Sequence, residues 1–139
     1  LLLCGVKRVL ITSELDSGKS FRVAEVELLE EFYSDQSSDC LDRLEQRLIA
    51  SFSSSCPDFP EVEQQLDELR SEGICLGMLT DVLSYSLDLE LRVKEQLLAE
   101  LDVVKRAKML LAQLESPTFA TRAAGAKSPR KYPPDFSAN

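Results

Sequence analysis

The sequence predicts an α+β fold in which a β-hairpin is followed by a bundle of about four to five helices, so that most of the chain is helical. Two runs of alternating sequence rich in β-branched residues, 5–15 and 21–29, predict the strands. After Tyr33 the apolar residues recur at helical spacing as far as Leu114. The 139 residues, 44% of them hydrophobic, are enough to form a domain with a buried core.

The two predicted strands are joined by residues 16–19, whose sequence Asp-Ser-Gly-Lys favours a tight turn. Strict alternation divides the first strand between two faces, one with Val6, Arg8, Leu10 and Thr12 and the other with Lys7, Val9, Ile11 and Ser13. Neither strand is polar on one side only. We therefore expect the hairpin to be covered on both faces, as in a closed barrel or a sheet packed against helices.

Three helices are predicted between residues 38 and 86. The first is capped by Ser38 or Asp39, ends within residues 53–57, and has an apolar stripe of Leu41, Leu44, Leu48, Ile49 and Phe52. The second opens at Pro60 and stops at Gly73, with a stripe of Val62, Leu66 and Leu69. The third runs from about Leu76 to Ser86 and is expected to bury Leu79, Val82 and Leu83.

Residues 89–114 could form one long helix, but the phase of their apolar residues favours two. Leu97, Leu98 and Leu101 point in one direction, whereas a second set points about 140° away by angular count: Val103, Ala107, Leu110, Leu111 and Leu114. A break near Leu101 and Asp102, with Asp102 capping a new helix, keeps Lys105 and Lys108 out of the core. The alternative is one straight helix that contacts two different neighbours.

The segment 116–139 has the composition of a flexible tail, rich in Ala, Pro, Gly, Ser and Lys. Its four basic residues and one acidic residue give it a net charge of +3. Tyr132 and Phe136 lie beside Pro133 and Pro134, so this end of the chain either docks on the body or is unstructured. The sequence thus divides into a β-hairpin (1–33), a helical bundle (34–115) and a tail (116–139).

The formal net charge is −8, which argues against binding nucleic acid in the absence of a local basic stripe. The apolar runs are far shorter than the ~20 residues of a membrane span, so no membrane partner is expected. The start, Leu1-Leu2-Leu3-Cys4, is more typical of the middle of a strand than of an export signal, which would have a basic region before its apolar run. We expect a cytoplasmic protein.

No cofactor, metal or catalytic residue is predicted. The chain has no His, and Cys4, Cys40, Cys56 and Cys75 are too widely spaced for a thiolate zinc site. Buried, reduced thiols are favoured, although disulfides are possible by number alone.

Two local patterns resemble functional ones only superficially. Gly18-Lys19-Ser20 imitates the end of a phosphate-binding loop, but a strand rather than a helix follows it. The acidic residues Glu25, Glu27, Glu30 and Glu31, and the pair Asp67 and Glu68, could act as acid–base pairs or hold a cation. A solvated face is the preferred interpretation of both groups.

Three stretches together resemble the N-terminal substrate-binding domain of the Lon protease family. They are Leu3-Cys4-Gly5-Val6-Lys7-Arg8-Val9-Leu10-Ile11, with Gly followed three residues later by Arg; Phe21-Arg22-Val23-Ala24-Glu25-Val26-Glu27-Leu28-Leu29, with an aromatic residue before an Ala-x-Val-Glu core; and Leu79-Thr80-Asp81 followed by residues 94–103 and Arg106. The resemblance covers about residues 1–115. The ending Tyr132-Pro133-Pro134-Asp135-Phe136 resembles that of short, stand-alone Lon-domain proteins.

The resemblance implies a PUA-like β-barrel followed by a helical bundle, used to bind unfolded or exposed polypeptide. This chain would contain only the last hairpin of the barrel, and it has no ATPase or protease region, so proteolysis is not implied. The expected function is non-catalytic protein or peptide binding, with no peptide-binding residue identified. A PUA-like nucleic-acid-binding protein is the alternative.

Overall fold

A computed structural model describes residues 5–55 and 73–117. Strands β1 (Arg8–Leu15) and β2 (Val23–Leu29) are followed by four helices in this part of the chain: α1 (Ser38–Ser55), α2 (Leu76–Ser86), α3 (Leu91–Ala99) and α4 (Val103–Leu114). The α+β class and the order of hairpin before helices are confirmed. The helix predicted from Pro60, the start of the chain and nearly all of the predicted tail lie outside the described residues.

The hairpin is an antiparallel pair whose register changes by one residue at Thr12. Arg8 is paired with Leu29 and Ile11 with Val26, but Ser13 is paired with Glu25. Thr12 is therefore the extra residue of a β-bulge, and it interrupts the strict alternation that the sequence predicts. The connecting turn contains Gly18 at φ +61°, a backbone conformation that glycine adopts without steric cost.

The hairpin is not covered on both faces, so that prediction is wrong for the described residues. In β1 only Arg8 is partly buried, and in β2 only Val23, Ala24 and Leu29 are. A two-stranded sheet has no interior of its own, and α2 and α3 hydrogen-bond to it at Arg8.

Helix α1 has the predicted apolar stripe, but its cap residue differs from the prediction. Leu44, Leu48 and Phe52 are buried, and Leu41 and Ile49 are partly buried against them. The carbonyl of Ser37 accepts hydrogen bonds from the amides of Cys40 and Leu41, so Ser37, rather than Ser38 or Asp39, lies at the cap.

Helix α1 is described as far as Ser55, which lies within residues 53–57, where the sequence predicts its end. The hydroxyls of Ser54 and Ser55 donate to the carbonyls of Ala50 and Ser51, both at 2.8 Å. These bonds satisfy the serine hydroxyls within the last described turn of the helix.

Helix α2 has the predicted bounds, but its buried face is rotated about the helix axis relative to the predicted face. Leu79 and Leu83 are each only 1% exposed, as predicted, whereas Val82 is 39% exposed. The position in the core is taken by Thr80, which is fully buried because its hydroxyl donates to the carbonyl of Leu76 at 2.7 Å. Periodicity alone does not foresee a threonine in the core.

The predicted break between α3 and α4 is confirmed. Asp102 precedes α4, and its carboxylate accepts a hydrogen bond from the amide of Val104 at 3.0 Å. Lys105 and Lys108 are exposed. The core formed by α1, α2 and α4 includes the five α4 residues predicted to point inward: Val103, Ala107, Leu110, Leu111 and Leu114.

Candidate functional site

A cluster of four charged side chains joins the hairpin to the helices. Arg8 of β1 donates from Nη2 to Oδ1 of Asp81 at 2.7 Å, from Nε to the carbonyl of Leu98 at 2.9 Å, and from Nη1 to Glu31. Arg106 of α4 lies 2.6 Å from the Glu31 carboxylate, measured from Nη1 to Oε1. The four residues Arg8, Glu31, Asp81 and Arg106, called the ion cluster below, thus come from four different parts of the fold.

Arg106 is the buried member of the ion cluster, with no exposed side-chain surface. Its Nη1 also donates to the carbonyl of Glu100 at 2.9 Å. Its Nε lies 3.4 Å from Oδ1 of Asp81, close enough for Coulombic attraction but without hydrogen-bond geometry, and neither Nε nor Nη2 has a hydrogen bond within the described residues. A guanidinium can remain buried here because carboxylates on two sides balance its charge.

Gly77 leaves the space that this cluster requires. A Cβ atom at this position would lie 3.2 Å from Nη2 of Arg106 and 3.3 Å from Oε2 of Glu31. Both distances are shorter than ordinary van der Waals contact. The first turn of α2 can therefore pass over the ion cluster because residue 77 has no side chain.

Hydrogen bonds join the segment between β2 and α1 to the break between α3 and α4. Phe32 donates to the carbonyl of Leu101 at 3.1 Å and accepts from the amide of Val103 at 2.9 Å. The carboxylate of Asp102 accepts from the amide of Ser34 at 3.2 Å. Asp102 therefore holds two elements at once, the start of α4 and the connection that follows the hairpin.

The environment of Asp102 favours its charged form. Burial alone raises the pKa of Asp102, but hydrogen bonds from Ser34, Lys105 and Val104 outweigh it and leave the pKa below its usual value. The neighbouring Glu100 also has a lowered pKa, chiefly because Lys105 donates to it, and the same bond raises the pKa of Lys105. Both carboxylates are thus held ionised at neutral pH.

Exposed apolar side chains lie on the elements that meet at the ion cluster. On α2, Met78, Val82 and Tyr85 follow one another at i, i+4 and i+7, and they flank Asp81. Leu98, whose carbonyl binds Arg8, has a side chain that is 65% exposed. Leu10 lies on the same sheet face as Arg8, two residues on. We call these five residues the junction surface: Leu10, Met78, Val82, Tyr85 and Leu98.

A second apolar surface lies on the opposite side of the sheet. Val9 is paired with Leu28 and Ile11 with Val26, and alternation places all four on the face away from Arg8. Each is between 46% and 63% exposed. At one end of this face Lys7 binds Glu30 at 2.8 Å, and at the other Arg22 binds Glu14. We call Val9, Ile11, Val26 and Leu28 the apolar sheet face.

The acidic residues considered in the sequence are separated rather than gathered. Glu30 binds Lys7, Glu31 belongs to the ion cluster, and Glu25 accepts from the hydroxyl of Ser13 at 2.9 Å. Asp67 and Glu68 lie outside the described residues. Within residues 5–55 and 73–117, no group of three or more acidic, Cys or His side chains is arranged to hold a metal ion. Gly18 and Lys19 lie in the exposed hairpin turn.

Cys40 and Cys75 are free, as predicted, but they are not fully buried. Cys75 is exposed because it occupies the cap position of α2, at the end of the helix. The half-buried thiol of Cys40 donates a hydrogen bond to Asp35, which raises the pKa of Cys40. Partial burial, with Cys75 nearby, raises the pKa of Tyr33. A raised pKa keeps the Cys40 thiol protonated and poorly nucleophilic.

The sequence did not predict that the residues of the ion cluster come together. Arg8 and Asp81 are 73 residues apart, and Arg8 and Leu98 are 90 apart. Arg106 interrupts the buried stripe of α4 between Val103 and Ala107, and such a position on a helix is the one signal that could have suggested a buried ion pair.

No protein-family model matches this sequence, and no curated protein matches it significantly. Among the helices of the described residues, none combines the length and the apolar character needed to cross a membrane.

Proposed function

We propose that this chain is a non-catalytic polypeptide-binding module, related to the N-terminal substrate-binding domain of Lon proteases. The observation that carries this proposal is the junction surface, on which Met78, Tyr85 and Leu98 are between 48% and 72% exposed. Apolar side chains grouped around a fixed polar anchor are typical of surfaces that bind other polypeptides. Extended segments with apolar side chains, as unfolded proteins expose, are the ligands that suit such a surface.

The hairpin offers backbone as well as side chains. In the described part of the chain, the sheet consists of β1 and β2 alone, so each strand has one edge without a neighbouring strand. A bound segment could add to an edge that no barrel strand occupies, by main-chain hydrogen bonds, while its alternate side chains contact the junction surface. Binding of this kind depends little on sequence, which suits a receptor for unfolded polypeptide.

The apolar sheet face supports the assignment of the hairpin to a PUA-like barrel. Barrel strands alternate between side chains that point into the barrel and side chains that point out. Val9, Ile11, Val26 and Leu28 would point inward in this proposal, and Arg8 on the other face would point toward the helices. Further strands of such a barrel would cover the side chains that are exposed here.

The chemistry of the ion cluster supports a binding role rather than catalysis. Its two guanidinium groups offer hydrogen-bond donors and no acceptor atoms. Its two carboxylates, Glu31 and Asp81, are both bound to these arginines. The free thiols of Cys40 and Cys75 support a cytoplasmic setting, in which thiols stay reduced.

A pull-down with this chain and an unfolded model polypeptide tests the proposal. We expect capture that is insensitive to added nucleotide and is weakened about tenfold by Leu98→Asp. The matched control is Leu28→Asp, on the apolar sheet face, because Leu28 and Leu98 are exposed to similar extents, 63% and 65%. Nucleotide-dependent release, or no capture, would contradict the proposal. Retention on RNA that falls steeply with added salt would favour the nucleic-acid alternative instead.

A further inference from the structure

We propose that the C-terminal segment 127–139 binds the junction surface of its own chain and competes there with polypeptide ligands. The inference rests on the proposed function, because it assigns an internal competitor to the same surface. The segment lies outside the described residues and its sequence contains two aromatic side chains, two adjacent prolines and three basic residues with a single acidic one.

The apolar side chains of the two partners match in spacing. Met78 and Tyr85 are seven residues apart on α2, which corresponds to about 10 Å along a helix. Tyr132 and Phe136 are four residues apart, which corresponds to about 13 Å in an extended chain. Both aromatic side chains can therefore contact the α2 stripe at the same time.

The two prolines reduce the entropy that binding would cost. Pro133 and Pro134 each have a fixed φ, and each also biases the residue before it toward extended backbone. Pro-rich extended segments commonly dock against exposed aromatic rings. Tyr85, 72% exposed on the junction surface, provides such a ring.

The charges of the two partners are opposite. Glu27 is paired with Leu10, and Glu25 lies two residues before it, so both carboxylates are on the sheet face that carries Arg8 and Leu10. Lys127, Arg130 and Lys131 lie within the five residues before Tyr132. With Tyr132 on the apolar residues, these basic side chains come within reach of the two glutamates, whereas the neutral apolar sheet face offers no such match.

The connecting chain is long enough. The junction surface lies near the start of α4, at Arg106 and its partner Asp81, so a returning chain has to cover about 18 Å, the length of a 12-residue helix. The 15 residues from Pro117 to Tyr132 span up to about 50 Å when extended. The extended length of the connecting segment is therefore more than twice the distance that it has to cover.

A tryptophan at position 132 tests the contact directly. Since the chain has no Trp, Tyr132→Trp introduces a single reporter into the full chain. We expect its emission to be blue-shifted relative to the same substitution in a free 127–139 peptide. Adding Leu98→Asp should abolish the shift, whereas adding Leu28→Asp should leave it. Emission equal to that of the free peptide, or a shift lost only with Leu28→Asp, would overturn the inference.

A competition experiment separates this inference from the proposed function. The full chain and its Tyr132→Ala/Phe136→Ala variant are each titrated with a reduced, alkylated model protein. We expect the variant to bind about tenfold more tightly, because a tethered segment competes at an effective concentration in the millimolar range. Equal binding by both would overturn the internal competitor and leave the proposed function standing. Absence of binding by both would overturn the proposed function, and the emission test would still decide where the segment lies.

Discussion

Arg106 is the residue on which the attachment of the hairpin to the helices depends most. We expect Arg106→Ala to lower the free energy of unfolding by about 3 kcal/mol, because it leaves Glu31 and Asp81 without their buried partner. Denaturant unfolding measures the change. Arg47→Ala is the matched control: it breaks the exposed 2.7 Å pair with Glu115 and should cost less than about 1 kcal/mol. Equal costs would show that the ion cluster contributes no more than a surface pair.

Asp102 is a residue with two separable roles, a helix cap and a charge. Asp102→Ala removes both and should lower the free energy of unfolding by about 1–2 kcal/mol. Asp102→Asn keeps an oxygen that can accept a hydrogen bond from the amide of Val104, so it should lower the free energy of unfolding by less. Chemical denaturation of the three proteins at pH 7 gives this ranking. A larger cost for Asn than for Ala would contradict the cap.

The charge of Asp102 also predicts a pH dependence. Because the folded-state pKa lies below the unfolded value of about 4, the ionised carboxylate stabilises the fold above that value. This stabilisation is lost as the pH falls through the folded-state pKa. The stability difference between the wild type and Asp102→Asn should therefore be constant near neutral pH and shrink in acid below about pH 4. A difference that grows on acidification would contradict the lowered pKa.

At the scale of the elements, α4 is the helix with the most completely buried stripe. Leu110 is fully buried in it, whereas Leu98 on α3 is 65% exposed. We expect Leu110→Ala to cost about 3 kcal/mol, from lost burial and the cavity left behind. Leu98→Ala should change stability by no more than about 0.5 kcal/mol. Thermal or denaturant unfolding of the two variants makes the comparison, and similar costs would mean that α4 is not the centre of the core.

The elements that could be predicted from sequence are those with a strong local signal. The phase of the apolar residues located the break at Asp102, and the bounds of α2 followed from the pattern at residues 76–86. The same pattern failed at Val82, because a threonine hydroxyl can be satisfied within its own helix and the core rotated toward Thr80. The prediction that both faces of the hairpin are covered came from the alternation of residues in the strands. Alternation shows which residues share a face, but it does not show what packs against that face.

The ion cluster, and with it the junction surface, could not be predicted, for a different reason. Arg8, Asp81 and Leu98 come together only through contacts between residues more than 70 positions apart. The sequence contains the residue types but no local pattern that pairs them. Arg8, Asp81 and Arg106 all fall within the stretches on which the proposed relationship to Lon rests, yet that proposal assigned no role to any of them.

For the whole molecule, the exposed apolar surfaces predict self-association. The apolar sheet face alone exposes four β-branched or leucine side chains on paired strands, and such a face favours sheet-to-sheet stacking. We expect this chain to be aggregation-prone in isolation and to bind a hydrophobic dye. Light scattering at increasing protein concentration measures the association. A chain that stays monomeric as its concentration rises and binds no dye would contradict this prediction.

Substitutions on the two faces of the sheet identify which surface causes the self-association. Ile11→Lys together with Val26→Lys should reduce both scattering and dye binding, because the paired charges interrupt the centre of the apolar sheet face. Glu25→Lys, also on β2 but on the other face, is the control for the change in net charge. A reduction by the control as large as that by the double variant would attribute the effect to charge alone.

The attachment of the hairpin at one end has a mechanical consequence. Arg8 and Leu29 lie at the attached end, and the turn at Gly18 lies at the other, about 25 Å away for strands of seven or eight residues. A rotation of the hairpin about the ion cluster would therefore move the turn much farther than it moves the attached end. A rotation of about 10° there would swing the turn by roughly 4 Å over that strand length. A spin label at Ser17 would consequently report on Arg8 with greater sensitivity than a label beside Arg8 itself.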